Sequence, residues 1–154
     1  MVRGIERVKQ FVNSRGLDAR IVELPSSTKT SKLAAEALGS SVAEIAKSIV
    51  FVGRRNVVVV ISGDKRVDIV KLKSLLGDDL RLGSADEVKE ISGYPIGGVP
   101  PFPHEGRLSV YVDASVGRFK RVWAAAGEPN AVMDLSVEAL MRTLGTGFID
   151  AASE

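Results

Sequence analysis

One stretch of the sequence, residues 92–106, combines residue types that can hold an oxyanion. It reads Ser-Gly-Tyr-Pro-Ile-Gly-Gly-Val-Pro-Pro-Phe-Pro-His-Glu-Gly and contains four of the chain's six prolines and four glycines. Proline removes amide donors from any regular ladder, and glycine lets a ligand approach the main chain closely. We therefore expect a stiff loop, packed down by its apolar residues, whose free N–H groups bind a carbonyl oxygen, an oxyanion or a phosphate. The alternative is a surface connector.

Three further side chains, one of them in this loop, are candidates for catalysis or binding. Lys47 lies where a helical pattern gives way to a strand pattern, so its ammonium can project over the end of a sheet. The alternative is a solvated lysine at a helix C-terminus, where the helix dipole favours a cation. His104 is the only histidine and lies in the loop. Asp113 ends a strand, either as a site residue or as a cap.

The remaining basic residues can meet phosphates only where the fold gathers them, because the net charge is just +2. The candidates are Lys29, Lys32, Lys65, Arg66, Lys71, Lys73, Arg118, Lys120 and Arg121.

Composition excludes several kinds of active site. With no cysteine and one histidine in 154 residues, disulfides, a thiol nucleophile, Cys-ligated zinc and a His-rich metal site are ruled out. We expect no metal and no cofactor, although this census leaves an all-carboxylate site open. The length predicts one domain over residues 1–154. No signal peptide or long apolar span is visible, so we expect a cytoplasmic protein.

Five stretches show helical spacing with capping signals at their ends. They run from Ile5 to Gly16, from Thr30 or Ser31 to Gly39, from Val70 to Gly77, from Ser84 to Ile91, and from Ser136 to Gly145. Ser41 and Glu44 also fit a capping box, which predicts a further short helix through Ala46 or Lys47.

Strand patterns are more numerous than a plain alternation of strands and helices would give. They fall at residues 19–24, 48–53, 56–62, 67–69, 80–82, 108–113, 122–126 and 131–135, with a tail after residue 149. The run Val57–Ile61 is continuously apolar, which predicts a central strand buried on both faces. We infer an α+β fold in which a mixed, strongly curved sheet forms a partial barrel with helices around it.

An ordered set of motifs resembles the YbaK/ProX-type aminoacyl-tRNA deacylases, whose domain also occurs as the editing domain of many bacterial prolyl-tRNA synthetases. The motifs are Ala43-Glu-Ile-Ala-Lys47-Ser-Ile-Val-Phe51, Ser62-Gly-Asp64, Val67-Asp68, Lys71-Leu72, Leu80-Arg81-Leu82, Gly93-Tyr94, Gly97-Gly-Val-Pro-Pro101-Phe102, Val112-Asp113-Ala-Ser115 and Ala126-Gly127. They span most of the chain, from about residue 28 to about residue 150.

The resemblance implies roles for individual residues. The family's signature lysine corresponds to Lys47, and its Gly-x-x-x-Pro motif corresponds to residues 97–101, where Pro100 replaces a small polar residue of many relatives. The implied catalytic residues are Lys47, Gly97, Gly98 and Pro101, and the implied substrate-binding residues are Thr30, Phe51, Tyr94, Val99, Phe102, His104, Asp113 and Gly127.

The implied reaction is hydrolysis of mischarged aminoacyl-tRNA, notably alanine or cysteine on tRNA for proline. An activated ester needs only a placed water and a stabilised oxyanion, which the loop amides and Lys47 can supply. His104 and a hydroxyl of the substrate ribose are both open as the general base. The expected partners are tRNA and a prolyl-tRNA synthetase, and the protein is a monomer or a homodimer. Two alternatives stay open: a non-catalytic module that binds an acceptor end or a nucleotide, and hydrolysis of another small ester or amide.

Overall fold

The computed structural model describes residues 3–25 and 30–154, so Lys29 and most of the connector before it lie outside the described residues. Within the described ranges there are five α-helices: α1 (Gly4–Arg15), α2 (Ser31–Leu38), α3 (Ile69–Leu76), α4 (Ala85–Ser92) and α5 (Val137–Leu144). The strands are β1 (Ala19–Glu23), β2 (Ile45–Val52), β3 (Val57–Ser62), β4 (Arg81–Leu82), β5 (Ser109–Asp113), β6 (Arg121–Ala125), β7 (Ala131–Ser136) and β8 (Phe148–Ile149).

The strands form one mixed sheet in the order β1-β7-β6-β2-β3-β5-β8, and β4 pairs with β2 beside this path. The pairs β2–β6, β3–β5 and β5–β8 are parallel, and the others are antiparallel. All six residues of β3 are buried, which confirms the predicted central strand. The predicted α+β class with a mixed sheet is confirmed.

β3 separates two apolar clusters because successive side chains of a strand point to opposite faces. Val58 and Val60 belong to the larger cluster, which includes α1, and Val57, Val59 and Ile61 belong to a smaller cluster beneath α3. No helix within residues 3–25 and 30–154 combines the length and apolar character needed to cross a bilayer.

The helix predicted after Ser41 is wrong beyond its first turn. The capping box between Ser41 and Glu44 forms, but it opens only a 3₁₀ turn, Val42–Glu44, and β2 begins at Ile45. The β-branched run that follows pairs along its whole length with β3, and that pairing outweighs the local capping signal. Lys47 is consequently a strand residue and not a lysine at a helix C-terminus.

The predicted tail is also partly wrong. Phe148–Ile149 forms β8 on the edge of β5, and Ala152 makes a β-bridge to Val67. The carboxylate of Asp113 stabilises this end of the chain, because it accepts hydrogen bonds from the amides of Ala151 at 2.8 Å and Ser115 at 2.9 Å.

Candidate functional site

A gap in the sheet forms the main cleft of the protein. On the edge facing away from β3, β2 pairs with β6 at Ile45 and Ala46 and with β4 at Phe51 and Val52. Between these points, residues 47–50 have no strand beside them among the described residues. A cleft of about 540 Å³ opens there, between the ends of β4 and β6. We call residues 47–50 of β2 the open edge.

The two sides of the cleft differ in chemistry. An apolar recess lies on the side of the larger core cluster, and its walls are Ala46, Val50, Val88, Val99 and Ala124. The rim on the other side carries Lys47, Lys65 and Arg66. Thr30 also lines the cleft, at the start of α2, where its hydroxyl accepts the Leu33 amide at 3.1 Å.

Lys47 is the most perturbed cation of this rim. Burial lowers the pKa of its ammonium, and the neighbouring charge of Arg66 lowers that pKa further, while Asp64 opposes both effects. Lys47 makes no ion pair with any residue in the described part of the chain. A half-buried ammonium without a partner carries a desolvation cost, and such perturbed groups concentrate at functional sites.

Asp64 also lines the cleft, but its carboxylate is engaged elsewhere. Arg118 binds it through both terminal nitrogens, at 2.7 and 3.1 Å, and donates its Nε–H to the carbonyl of Ser115 at 2.8 Å. The hydrogen bond from Arg118 lowers the pKa of Asp64. Because Asp64 is paired outside the rim, the three rim cations leave the cleft electropositive.

The loop of residues 92–106 contributes a turn to the cleft wall. The amide of Gly98 donates to the carbonyl of Pro95 at 2.9 Å, and Gly97 has φ +86°, as position i+2 of a type II turn requires. Gly97 and Val99 line the cleft. The Gly97 amide donates to no atom of the described residues and is free for a ligand.

The amide of Gly98, which we expected to face the substrate, forms a hydrogen bond within the loop instead. Its N–H closes the turn, and its carbonyl accepts the Gly127 amide at 2.9 Å. Gly98 is nevertheless required there, because a Cβ on it would lie 2.9 Å from the Cα of Glu128. The backbone hydrogen bonds of Gly98 and Gly127 therefore position the loop.

Other predicted contact residues also lie outside the cleft wall. Tyr94 is fully buried and donates its hydroxyl to the carbonyl of Pro103 at 2.6 Å. Phe102 is buried against Phe11, with ring centroids 5.1 Å apart. Phe51 belongs to the smaller core cluster. Direct contact of these three residues with a substrate stays a prediction, and the structure shows their rings packed in the core.

Pro101 and Asp113 are also buried. Pro101 lies in the loop and is not among the residues that line the cleft. Asp113 is 2% exposed, and both of its carboxylate oxygens accept backbone amides. Asp113 is therefore the cap that the sequence left as an alternative.

His104 stabilises the loop and is not placed to act as a base. Its Nε2–H donates to the carbonyl of Pro100 at 2.8 Å, and its ring meets the Tyr94 ring edge-on. It does not line the cleft. Burial lowers the pKa of its imidazole below the ordinary 6.5, so the ring is neutral in the folded protein at neutral pH.

We expect His104 to govern acid stability and not the pH dependence of activity. Below pH 6.5 His104 becomes protonated in the unfolded chain, whereas in the folded protein its lowered pKa keeps it neutral to a lower pH. The stability of the wild type therefore falls as the pH falls. Melting curves from about pH 7.5 to about pH 5.5 should show a steeper loss for the wild type than for His104→Gln. A His104→Gln variant that shifted the pH–rate profile of hydrolysis would contradict this assignment.

Sequence reasoning missed several residues of the cleft. Trp123, the single tryptophan, lines it from β6, and Leu82 and Gly83 line it from the end of β4. Ser48 lines the open edge directly after Lys47. The strand patterns did place Trp123 and Leu82 in strands, but no local signal shows which strands flank a gap.

Comparisons with known proteins agree on one family. A family model described as an aminoacyl-tRNA editing domain matches residues 25–143, which include every residue of the cleft wall. The uncharacterized protein YwhH of Bacillus subtilis (strain 168) is 37% identical over 122 residues, which cover 78% of each chain.

Two further matches are a proline–tRNA ligase and a protein linked to prolyl-tRNA synthetase. The proline–tRNA ligase of Lactobacillus acidophilus (strain ATCC 700396 / NCK56 / N2 / NCFM) is 35% identical over 101 residues, and the match spans 18% of the ligase. A crystal structure of a protein suggested to be a trans-editing enzyme for prolyl-tRNA synthetase superposes with a TM-score of 0.91 at 36% identity. That superposition covers 100% of this chain and 99% of the other.

Proposed function

Because the chain belongs to the aminoacyl-tRNA editing domain family, we propose that it hydrolyses the ester of mischarged aminoacyl-tRNA, with alanine or cysteine on tRNA for proline as substrates. The observation that carries this proposal is that Lys47, which makes no ion pair within the described residues, and Gly97, whose amide donates to no described atom, line one cleft. We propose that both donors meet on a single carbonyl oxygen. The role in editing follows from the family, and the amino acids and the catalysis are the proposed part.

The bond changes are simple. A water oxygen attacks the ester carbonyl carbon, and the carbonyl oxygen becomes an oxyanion that Lys47 and Gly97 stabilise. The tetrahedral intermediate then expels the ribose oxygen, which leaves as a hydroxyl, and the amino acid departs as a carboxylate. Preorganised donors of this kind supply the largest single contribution in many acyl transfers.

The attacking water must lose a proton, and the cleft wall offers no free base among the described residues. Lys47 is a cation, Asp64 is paired with Arg118, and His104 lies in the loop away from the cleft. The neighbouring hydroxyl of the substrate ribose is therefore assigned as the group that receives or relays this proton. It lies next to the ester in every aminoacyl-tRNA.

The acceptor end fits the rest of the cleft. Lys65 and Arg66 on the rim suit the phosphates that follow the terminal nucleoside, because such contacts dominate affinity for nucleic acids. Leu82 and Ile96, which are 65% and 46% exposed, offer an apolar surface at the mouth of the cleft. An unstacked adenine can pack on such a surface.

Selectivity arises in the recess. We propose that its valines and alanines accept a small side chain and exclude the pyrrolidine ring of proline. Exclusion by shape is the second sieve of editing, and it is needed because one methylene in binding is worth only about 1–3 kcal/mol.

The proposal is tested with tRNA for proline charged in turn with alanine, cysteine and proline. We expect the alanyl and cysteinyl esters to be hydrolysed and the prolyl ester to be spared by about 10- to 200-fold in kcat/KM. A chelator should leave these rates unchanged. Tight binding of all three esters without hydrolysis would instead indicate a non-catalytic module that binds the acceptor end. Equal hydrolysis of the prolyl ester would show that the recess does not determine selectivity.

A further inference from the structure

The main chain of Ser48 points into the cleft. In an antiparallel pair, successive residues direct their N–H and C=O groups alternately to the two sides of the strand. The carbonyl of Ile45 accepts the Gly63 amide at 2.7 Å on the β3 side, whereas the carbonyl of Val50 accepts the Gly83 amide at 3.0 Å on the opposite side. Ser48 has the same parity as Val50, so its N–H and C=O face the gap between β6 and β4.

These two groups have no strand partner among the described residues. The ladder with β6 ends at Ala46, opposite Ala124, and the ladder with β4 starts at Phe51, opposite Leu82. The hydroxyl oxygen of Ser48 is shielded from solvent, although the residue as a whole is partly exposed. The exposed part of Ser48 therefore does not include its hydroxyl oxygen.

An unpaired donor and acceptor on one strand residue are the groups that an added strand would use. A single residue placed opposite Ser48 can exchange both hydrogen bonds with it, as in an antiparallel hydrogen-bonded pair. An α-amino acyl group has the required spacing, because one carbon separates its nitrogen from its carbonyl. Alternation along a strand then directs its side chain out of the plane of the sheet, as Val50 directs its own side chain into the recess.

We propose that the open edge at Ser48 binds the aminoacyl end of the substrate as a one-residue extension of the sheet. The α-ammonium donates to the Ser48 carbonyl, and the ester carbonyl accepts the Ser48 N–H. This inference rests on the proposed function and makes the free α-amino group a required feature of the substrate. Ser48 becomes a third donor to the oxygen that Lys47 and Gly97 approach.

A stable analogue tests the contact directly. The probe is 3′-alanylamino-3′-deoxyadenosine, an amide that keeps the ammonium and the carbonyl, and the matched control is the 3′-lactylamino compound, which carries a hydroxyl in place of the ammonium. Fluorescence of Trp123, the single tryptophan and a residue of the cleft wall, reports binding of either compound. Amide NMR with hydrogen exchange reports on Ser48, and the Val60 amide, in the fully buried central strand, serves as the internal control.

We expect the alanylamino compound to shift the Ser48 amide and slow its exchange about tenfold or more, with Val60 unchanged, and to bind about 10- to 100-fold more tightly than the lactylamino compound. A Trp123 response with an unchanged Ser48 amide, equal binding of the two compounds, or no binding of the alanylamino compound would each overturn the proposal.

Kinetics separate this inference from the proposed function. Alanyl and lactyl esters of an acceptor-stem RNA are compared after each rate is divided by its own uncatalysed rate, because the ammonium also activates the ester. A normalised rate lower by about 10- to 100-fold for the lactyl ester supports the Ser48 contact. Equal normalised rates overturn the contact and leave the deacylase intact, whereas binding at Ser48 without hydrolysis of either ester counts against the deacylase alone.

Discussion

Lys47→Ala should lower the single-turnover rate of alanyl-tRNA hydrolysis by about 10²–10³-fold, the usual cost of removing one preorganised oxyanion donor. The ammonium lies on the wall of the cleft and has no ion-pair partner in residues 3–25 and 30–154, so its charge is available to the substrate. The effect should appear in kcat more than in KM, because the charge on the oxygen develops in the transition state.

The matched control is Lys89→Ala, which removes an exposed lysine of α4 outside the cleft. It should leave the rate unchanged. Retention of near-wild-type hydrolysis by Lys47→Ala, with the Lys89→Ala rate also unchanged, would remove Lys47 from the mechanism.

The lowered pKa of Lys47 leads to two further predictions, one for the pH dependence of hydrolysis and one for thermal stability. Its charge is lost at a lower pH than that of an ordinary lysine, whose pKa is 10.5, so enzymatic hydrolysis should decline at alkaline pH once the uncatalysed rate is subtracted. Lys47→Met should not lower the melting temperature, because it removes a cation whose desolvation is uncompensated in the fold. A residue that mattered only for stability would behave in the opposite way.

Gly127→Ala should lower the free energy of unfolding by about 2–4 kcal/mol, the largest loss among the variants proposed here. Left-handed backbone strain and overpacking both contribute to this loss. Gly127 has φ +100°, and a Cβ on it would lie 2.4 Å from the carbonyl carbon of Gly4 and 2.8 Å from the amide nitrogen of Ile5. The main-chain atoms of this peptide cannot move aside cheaply. Thermal unfolding should show a decrease in Tm of about 5–15 °C.

Gly145→Ala separates the two causes. Gly145 also has a left-handed φ of +65°, but nothing lies within 4 Å of its added Cβ, so only backbone strain of about 1 kcal/mol remains. Equal losses for the two variants would show that α1 does not press on residue 127. The folded fraction of Gly127→Ala should also turn over more slowly, because Gly127 holds Gly98 and, through it, the Gly97 turn.

Much of the fold could be predicted because local signals and tertiary pairing agree. The hairpin of β2 and β3 and the glycines that end α1, α2, α3 and α5 follow from residue types alone. The two signals disagree at Lys47. The capping box at Ser41 forms as the local rule requires, but the residues after Glu44 pair with β3 and turn the expected helix into a strand.

The cleft could be predicted only in part. The resemblance to aminoacyl-tRNA editing domains implied roles for Lys47 and Gly97, which residue type and position alone left open. The gap beside Ser48 depends on where β6 and β4 stop, which is a property of parallel and long-range pairing. Gly98 and Gly97 are adjacent and identical in type, and only the turn decides which amide stays free.

The central claim is that donors of the cleft converge on the carbonyl oxygen of an aminoacyl ester. It is tested most directly by a crystal structure with a phosphonate analogue of the tetrahedral intermediate on a 3′-terminal adenosine. We predict that one phosphonate oxygen lies about 2.7–3.1 Å from both the Lys47 Nζ and the Gly97 nitrogen. A phosphonate held elsewhere, or bound in the cleft with Lys47 turned away from both of its oxygens, would contradict the account.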